Sequence, residues 1–275
     1  MSLYDIFPRS VSAAYVIATS KELAAPTVVA RISVLKQYAP TLQIYHARDT
    51  GKDGLTFPVS LRALENLSAK TKHDRGDISH AGELGCADSH VTLWRRAAAD
   101  PDQDGWTVIF ESDAVPAKRV LDALVSKGVG FPDSDDVAVV LLGYHYGTSL
   151  SPWFAYDSVS ATFAKKNAYF SGLHAYAVRN KYAALILDAL LPLDTEVDVA
   201  IDIAHRLQII PDVWVVKTPL FLQGTQYQGH ACIHNCDLKV LLPDNNAFIA
   251  MLAIVPWFLA VSFAVVIYAL AHKKK

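Results

Sequence analysis

Short apolar runs alternate with stretches of helical periodicity along most of the chain. Runs rich in β-branched and apolar residues predict strands at residues 13–19, 42–46, 106–110, 136–142, 169–178 and 213–216. Apolar residues at helical spacing predict helices at residues 24–38, 60–69, 82–99, 117–127, 180–191 and 195–207. Polar or irregular segments predict loops at residues 49–55, 70–79 and 143–166. The alternation predicts an α/β protein with a mostly parallel sheet flanked by helices.

The C-terminal part of the chain has a different pattern, because residues 247–271 carry no charged side chain. As a helix this run would span roughly 37 Å, more than a hydrocarbon core of about 30 Å. We therefore predict a catalytic domain at residues 1–240, a single-pass transmembrane anchor helix at 247–271 and a basic tail at 272–275. The N-terminus lacks a signal-peptide pattern, which favours a cytosolic catalytic domain. The terminal lysines leave the topology open, because a tail anchor would carry them across the membrane.

Composition excludes several classes of partner and fold. The net charge is -2 and no basic stripe is present, which argues against nucleic acid as the main partner. Three cysteines are too few for a disulfide framework. The overall length suits one large α/β domain, or two small domains that share a cleft.

The strand predicted at 106–110 ends in two acids, Glu111 and Asp113, which are separated by Ser112. Side chains two apart on an extended chain point to the same side. Paired carboxylates suit a hard cation such as Mn²⁺ or Mg²⁺, which prefers oxygen ligands and often shares them with substrate phosphates. A solvated loop is the alternative, because acid-x-acid triplets are common.

Residues 82–90 have the sequence GELGCADSH, which resembles a signature of family 25 glycosyltransferases, the lipooligosaccharide and collagen galactosyltransferase group. The resemblance continues in the family's order through 108–116 (VIFESDAVP) and 172–178 (GLHAYAV). An acid near the start of the next helix, at 196–198, also has its counterpart in the family. The resemblance covers roughly residues 13 to 230.

This resemblance implies a GT-A-like (Rossmann-like) fold that transfers a sugar, with inversion, from a nucleotide donor. It implies a UDP-sugar, galactose first, and a hydroxyl acceptor on a glycan or glycoprotein, as in lipopolysaccharide biosynthesis. The candidates for donor binding are Thr19, Gly82, Glu83, Ser89, His90 and Ser112. A purely structural role is the alternative for Ser89 and His90, and Cys86 and Trp94 are expected to be packing residues.

The resemblance also assigns the metal ligands and the base. Asp113 is the first expected ligand of Mn²⁺ or Mg²⁺, with Glu111 direct or through water and His230 as a third ligand. An inverting transfer needs a base for the acceptor proton. Asp198 is the first candidate and Asp202, four residues later on the same helix face, is the second. The alternative for Asp198 is a carboxylate that stabilises a helix start.

Three departures from the family pattern keep another function open. Ser112 stands where the family has adjacent acids, Asp88 stands where it has an apolar residue, and its arginines are missing from 20–28. These departures would suit a catalytically inactive, membrane-attached binding or structural module. A metal-dependent phosphohydrolase would explain the acids but not residues 82–90. A zinc site on the alternating histidines and cysteines of 230–236 is a further alternative, although its spacing leaves little room for a tetrahedral ion.

Overall fold

The computed structural model of the protein describes residues 2–69, 77–78, 80–127, 130–131, 133–146, 156–160, 162–166 and 170–224. No helix within these ranges is long and apolar enough to cross a membrane. The predicted anchor at 247–271, the tail at 272–275 and the histidines and cysteines of 230–236, including His230, lie outside the described residues. The metal role of His230 and the membrane anchor therefore stay predictions.

The described strands are β1 (Val11–Ala18), β2 (Gln43–His46), β3 (Trp106–Glu111), β4 (Ala114–Pro116), β5 (Val137–Tyr146), β6 (Tyr156–Ser158), β7 (Phe163–Lys166), β8 (Phe170–Arg179), β9 (Asp212–Val216) and β10 (Phe221–Gln223). The described helices are α1 (Ser20–Leu23), α2 (Pro26–Tyr38), α3 (Thr50–Asp53), α4 (Leu61–Ala69), α5 (Ala81–Ala98), α6 (Lys118–Ser126), α7 (Asn180–Leu190) and α8 (Val197–Arg206). A 3-10 turn at Leu3–Ile6 precedes β1.

Eight of these strands form one sheet in the order β2-β1-β3-β8-β5-β9-β7-β6, and β4 pairs with β10 in a small second sheet. The pairings make β1, β2, β3, β5, β6 and β9 run in one direction, and β7 and β8 in the other. The predicted α/β class and mostly parallel sheet are confirmed. The strand β8 was predicted, but its antiparallel direction was not, and it lies at the centre of the sheet, between β3 and β5.

Both faces of the sheet are covered, and β3 shows how its sequence satisfies both. Val108 and Phe110 pack into the core that includes side chains of α2 and α6. Ile109, which points the other way, packs into the core that includes side chains of α5, α7 and α8. A strand with two buried faces needs apolar residues at every position, which explains the continuous apolar run rather than an alternating one.

The boundaries of the long elements agree with the sequence prediction to within a few residues, but short elements were missed. The segment 49–55 was predicted as a loop and contains the helical turn α3. The segment 143–166, also predicted as a loop, contains the end of β5 and the strands β6 and β7. Elements of three or four residues are too short for a periodic pattern to develop.

Candidate functional site

The candidate site lies where the path of the chain through the sheet reverses. The strands β2 and β3 flank β1 on opposite sides. The connection from β1 to β2 contains α2, which packs on one face, and the connection from β2 to β3 contains α5, which packs on the other. Ligands of open α/β sheets bind in the crevice that such a reversal opens at the carboxyl ends of the strands. At this edge Ile17 of β1 pairs with Glu111 of β3.

Thr19, directly after β1, and Ser112, directly after β3, both bind Glu22 of α1. The Thr19 N–H and hydroxyl donate to Glu22 Oε2 (2.7 and 2.8 Å), and the Ser112 hydroxyl donates to Glu22 Oε1 (2.7 Å). The Thr19 oxygen in turn accepts from the Glu22 N–H, which completes a capping box at the start of α1. The structure therefore gives both predicted donor-binding residues a structural partner at the edge of the crevice.

Asp113 follows in the turn after β3, because the strand ends at Glu111. The alternation that would put Glu111 and Asp113 on one side does not extend into this turn. The side chain of Asp113 is 2% exposed, and neither of its oxygens has a well-formed hydrogen bond to a described residue. Burial raises the pKa of Asp113 to about 8 and Glu111 adds to the rise, while Gln223 and Arg31 lower it. Within the described part of the chain, the positive charge near Asp113 therefore does not offset the effect of its burial.

The side chain of Arg31, in α2, contacts the backbone of this turn. Its Nη1 donates to the Ser112 carbonyl oxygen (2.6 Å), and the Gly224 N–H donates to the Asp113 carbonyl oxygen (2.8 Å). The backbone of the acidic turn is therefore held by two donors, while the carboxylate of Asp113 is not among their acceptors. The sequence prediction did not assign Arg31 to the site.

His90 of α5 joins all three segments of the family resemblance. It is fully buried, its Nδ1 lies 2.8 Å from the Tyr176 hydroxyl of β8, and its Nε2 lies 3.4 Å from Glu111 Oε1. Its neighbour Ser89 is also buried, and its hydroxyl donates to the Gly85 carbonyl oxygen (3.1 Å) within the same helix. The structure brings His90 to the acidic strand end and gives Ser89 a local role.

The first turn of α5 holds the two remaining donor-binding candidates. Glu83 is buried, and its Oε2 accepts from the His80 N–H (3.0 Å) just before the helix. A carboxylate in the first turn of a helix offsets the free N–H groups there. Gly82 is exposed, and a Cβ at this position would meet no other atom within 4 Å. Packing therefore does not explain the glycine.

Asp198, at the start of α8, is bound by two backbone amides. The Gly172 N–H donates to Oδ2 (2.7 Å), and the Val199 N–H donates to Oδ1 (2.8 Å). Gly172 has a φ of 82°, a left-handed conformation that glycine adopts without strain, which explains this glycine in the segment 172–178. Desolvation raises the pKa of Asp198, the two amides lower it, and Glu111 contributes to the rise. Asp198 and Glu111 therefore belong to one electrostatic environment.

Asp202, the second candidate base, has a different environment. It is fully buried and forms ion pairs with Lys166 of β7 and with Arg206, whose Nη2 lies 2.8 Å from Oδ2. The first ion pair ties the carboxylate to a neighbouring strand, and the second ties it to the next turn of its own helix. Asp198 and Asp202, which the helix spacing predicted on one face, therefore lie in different environments.

The structure differs from the sequence prediction at Cys86. It was expected to pack in the core like Trp94, which is fully buried, but its side chain is exposed at the surface. The thiol is nevertheless desolvated by the surrounding protein, which raises its pKa well above the usual range, and Glu111 adds to the rise. Its Sγ, a ring nitrogen of His90 and a carboxylate oxygen of Glu111 lie within 4.8 Å of one another. The spacing of four residues between Cys86 and His90 on one helix is the signal that the sequence offered. Asp113 is not part of a comparable set of three among the described residues.

Comparisons with known proteins give little beyond this geometry. No family model and no curated protein matches the chain. The structure is similar to a glycosyltransferase involved in the glycosylation of the major capsid of PBCV-1 (7% identity, covering 78% of this chain and 94% of that chain, TM-score 0.42). It is also similar to the inositol-1-phosphate CTP transferase from T. maritima (12% identity, 84% and 95% covered, TM-score 0.41) and to UDP-glucose pyrophosphorylase complexed with UDP-glucose (8% identity, 75% and 90% covered, TM-score 0.35). At such identities and TM-scores these similarities carry no argument about chemistry.

Proposed function

We propose that the protein is a nucleotide-sugar-dependent glycosyltransferase with a GT-A-like fold, similar to family 25. The observation that carries the proposal is the contact of His90 with Tyr176 and Glu111, because it unites three segments that resemble the family although they are distant in sequence. They meet at the carboxyl ends of the strands, where open α/β sheets bind ligands. The proposed donor is a UDP-sugar, and galactose is the first candidate for its sugar.

The acids at this edge fit a hard divalent cation, Mn²⁺ or Mg²⁺. Asp113 is buried, and no described residue makes a well-formed hydrogen bond to its carboxylate. Both Asp113 and Asp198 have raised pKa values to which Glu111 contributes. A cation would offset this excess of negative charge, and Asp113 and Glu111 would hold it. When bound, such an ion stabilises the charge that develops on a diphosphate leaving group.

Asp198 is the proposed base for the acceptor hydroxyl, on a glycan or a glycoprotein. Its raised pKa brings it closer to the range in which a carboxylate accepts a proton effectively. The amides of Gly172 and Val199 fix the orientation of the carboxylate. Asp202 serves the fold instead, through its ion pairs with Lys166 and Arg206.

We further propose that residues 247–271 anchor the protein to a membrane, with the catalytic domain in the cytosol. The uncharged run is the support for this proposal. The expected result is that the full chain floats with liposomes and that a chain truncated before residue 247 does not. A truncated chain that still floats would contradict the anchor.

Activity is tested by release of the nucleotide diphosphate from a panel of nucleotide sugars, with Mn²⁺, with Mg²⁺ and with a chelator. The expected result is turnover of a UDP-hexose that stops on chelation. Asp198→Asn should lower turnover by roughly 10²–10⁴-fold, the usual contribution of a general base, with donor affinity nearly unchanged. The amide also loses one of two backbone hydrogen bonds, so a loss of about 1–3 kcal/mol of stability should accompany it.

Glu196→Gln is the matched control, because it removes a charge from the same helix start. It should leave turnover within a few-fold of the parent value. If Asp198 has only a structural role, turnover of the Asn variant should follow its folded fraction and recover at lower temperature. A chain that binds no nucleotide sugar at all would contradict the proposed function.

The second candidate function is an inactive, membrane-attached binding module. The observation in its favour is Ser112, which occupies a position where the family has an acid and which here binds Glu22. The two functions differ in one result. A module would bind the donor without releasing a nucleotide diphosphate, whichever acceptor is offered.

A further inference from the structure

Three side chains of different chemistry converge at the edge of the crevice. Cys86 and His90 come from successive turns of α5, and Glu111 comes from the end of β3. Their ligand atoms, a sulfur, a nitrogen and an oxygen, lie within 4.8 Å of one another. Of these three groups, only the Glu111 carboxylate is a proposed ligand of the hard cation.

The distance between His90 and Glu111 suits two ligands of one ion. His90 Nε2 and Glu111 Oε1 are 3.4 Å apart, which is long for a hydrogen bond. Zinc binds nitrogen and oxygen at roughly 2.0–2.2 Å in a tetrahedron, whose edge is then about 3.3–3.6 Å. The tetrahedral edge to a thiolate at about 2.3 Å is roughly 3.6 Å, and the Cys86 sulfur lies within 4.8 Å of both other ligand atoms.

Tyr176 orients the imidazole for this role. Its hydroxyl lies 2.8 Å from His90 Nδ1, on the side of the ring that faces away from Glu111. Histidines that bind metals usually donate their second ring N–H to a neighbouring oxygen, which fixes the tautomer and the ring plane. Burial raises the pKa of the Tyr176 hydroxyl well above its usual range, so it is a neutral hydrogen-bond partner.

The donor set selects the metal. Thiolate and imidazole ligands favour zinc over manganese and magnesium, and affinity for such ligands follows the same order. Zinc sites with three protein ligands keep a fourth position for water or a substrate group. Cys86 is exposed and Glu111 is partly exposed, so the fourth position would face the solvent.

We propose that Cys86, His90 and Glu111 form a zinc site with one open coordination position. Binding replaces the proton of the Cys86 thiol with the metal ion. Zinc at this site also occupies Glu111, one of the two proposed ligands of the hard cation. Zinc therefore inhibits sugar transfer in competition with Mn²⁺, and this consequence alone rests on the proposed function.

The test measures zinc binding directly on the full chain, after chelation and dialysis, so it does not depend on activity. Cys232 and Cys236 are the other cysteines, and both are replaced by serine in the reference protein. The reference should bind one zinc ion, and cobalt should give a thiolate-to-metal absorption band. Cys86→Ser should abolish the band and weaken zinc binding by at least about 100-fold. Tyr176→Phe should weaken it by roughly 10–100-fold, the usual cost of losing the partner of a metal-bound histidine.

Cys86→Ser is a suitable variant because the side chain is exposed and its replacement leaves no cavity. Equal zinc affinity of Cys86→Ser and the reference would overturn the proposal. Zinc binding that disappears when Cys232 and Cys236 are replaced would also overturn it and move the site to 230–236. Zinc binding at Cys86 without any sugar transfer would leave the site standing and count against the proposed function only.

Discussion

The ends of the strands form two opposite edges of the central sheet, and the acids at these two edges have very different surroundings. At the edge where β1, β3 and β5 begin, Asp104 and Asp135 form ion pairs with Arg179 and Lys181, and Arg9 joins the same network. Lys181 lowers the pKa of Asp135, with Arg179 and Arg9 acting in the same direction.

At the opposite edge, where β1 and β3 end, the described acids Glu111, Asp113 and Asp198 lie in one electrostatic environment. Burial raises the pKa of Asp113 to about 8, and Arg31 lowers it only in part. Desolvation likewise raises the pKa of Asp198. Aspartate therefore stabilises the fold at the first edge, where cations compensate its charge. At the second edge its burial lowers the stability of the fold. Uncompensated buried charge of this kind is typical of functional sites.

Asp113→Asn should change stability and donor binding more than any other substitution discussed below. Without metal, the variant should be more stable by about 1–3 kcal/mol near pH 8, because an ionised buried carboxylate costs more than a buried amide. The same change should weaken Mn²⁺-dependent binding of a UDP-sugar by at least about 100-fold, since losing a metal ligand costs more than losing a group that only hydrogen-bonds to a ligand. Thermal unfolding and calorimetric titration check the two parts.

Asp122→Asn is the control, because it is the same change at an exposed acid whose pKa is lowered by Lys118. It should lower stability slightly and leave donor binding unchanged. Added Mn²⁺ should raise the unfolding temperature of the parent and of the Asp122 variant, but not of the Asp113 variant. If Asp113→Asn lowers stability and keeps Mn²⁺-dependent binding, the contrast between the two edges has no functional meaning.

Arg179→Met should have an intermediate effect, and it should lower stability where Asp113→Asn raises it. Arg179 is fully buried, donates to the Ser134 carbonyl oxygen (2.7 Å) and lies over the ring of Trp106 at 5.7 Å. The variant leaves a carbonyl without its donor, so stability should fall by about 1–3 kcal/mol. That loss corresponds to roughly 2–4 °C in unfolding temperature for each kcal/mol. Donor affinity should not change, because this edge lies at the other end of the strands.

Lys181→Met tests the same network from its more exposed side. It should cost only a few tenths of a kcal/mol, because a partly exposed ion pair is weak. Urea unfolding of both variants gives the comparison. A large loss of donor affinity in Arg179→Met, without a loss of stability, would show that the compensated edge also serves the site.

The sequence predicted the architecture well because long elements carry their own pattern. The apolar run of β3 and the helical spacing of α5 and α7 each appear within one segment. The direction of β8 was not predictable, because an apolar run looks the same whichever way its neighbours run. The pairing of β4 with β10 was also not predictable, since it joins two three-residue segments that are far apart in sequence.

The candidate site was predictable only where a motif supplied it. The resemblance led to His90, Glu111 and Asp198, and the structure places the first two together. It could not tell that Asp202 pairs with Lys166, because that contact joins α8 to a strand predicted as a loop. The exposure of Cys86 was equally hidden, since a helix pattern does not say which neighbours cover each face.

Ser112→Ala should have the smallest effect and decides what the departure from the family pattern means. The Ser112 hydroxyl makes one of three hydrogen bonds to the side chain of Glu22, and Thr19 makes the other two. Its loss should cost about 0.5–1.5 kcal/mol, the net contribution of a typical hydrogen bond. Donor affinity should stay within a few-fold, because on this structure the hydroxyl serves the acidic turn rather than the donor.

Thr19→Ala is the matched change on the same carboxylate, and it should cost about 1 kcal/mol as the loss of a helix cap. Stability is measured by urea unfolding and donor affinity by titration, on both variants. If Ser112→Ala kept full stability but bound the UDP-sugar more than tenfold more weakly, the hydroxyl would belong to the donor site. In that case Ser112 would replace the family's acid in binding, and the departure would count as a change of specificity rather than a sign of lost activity.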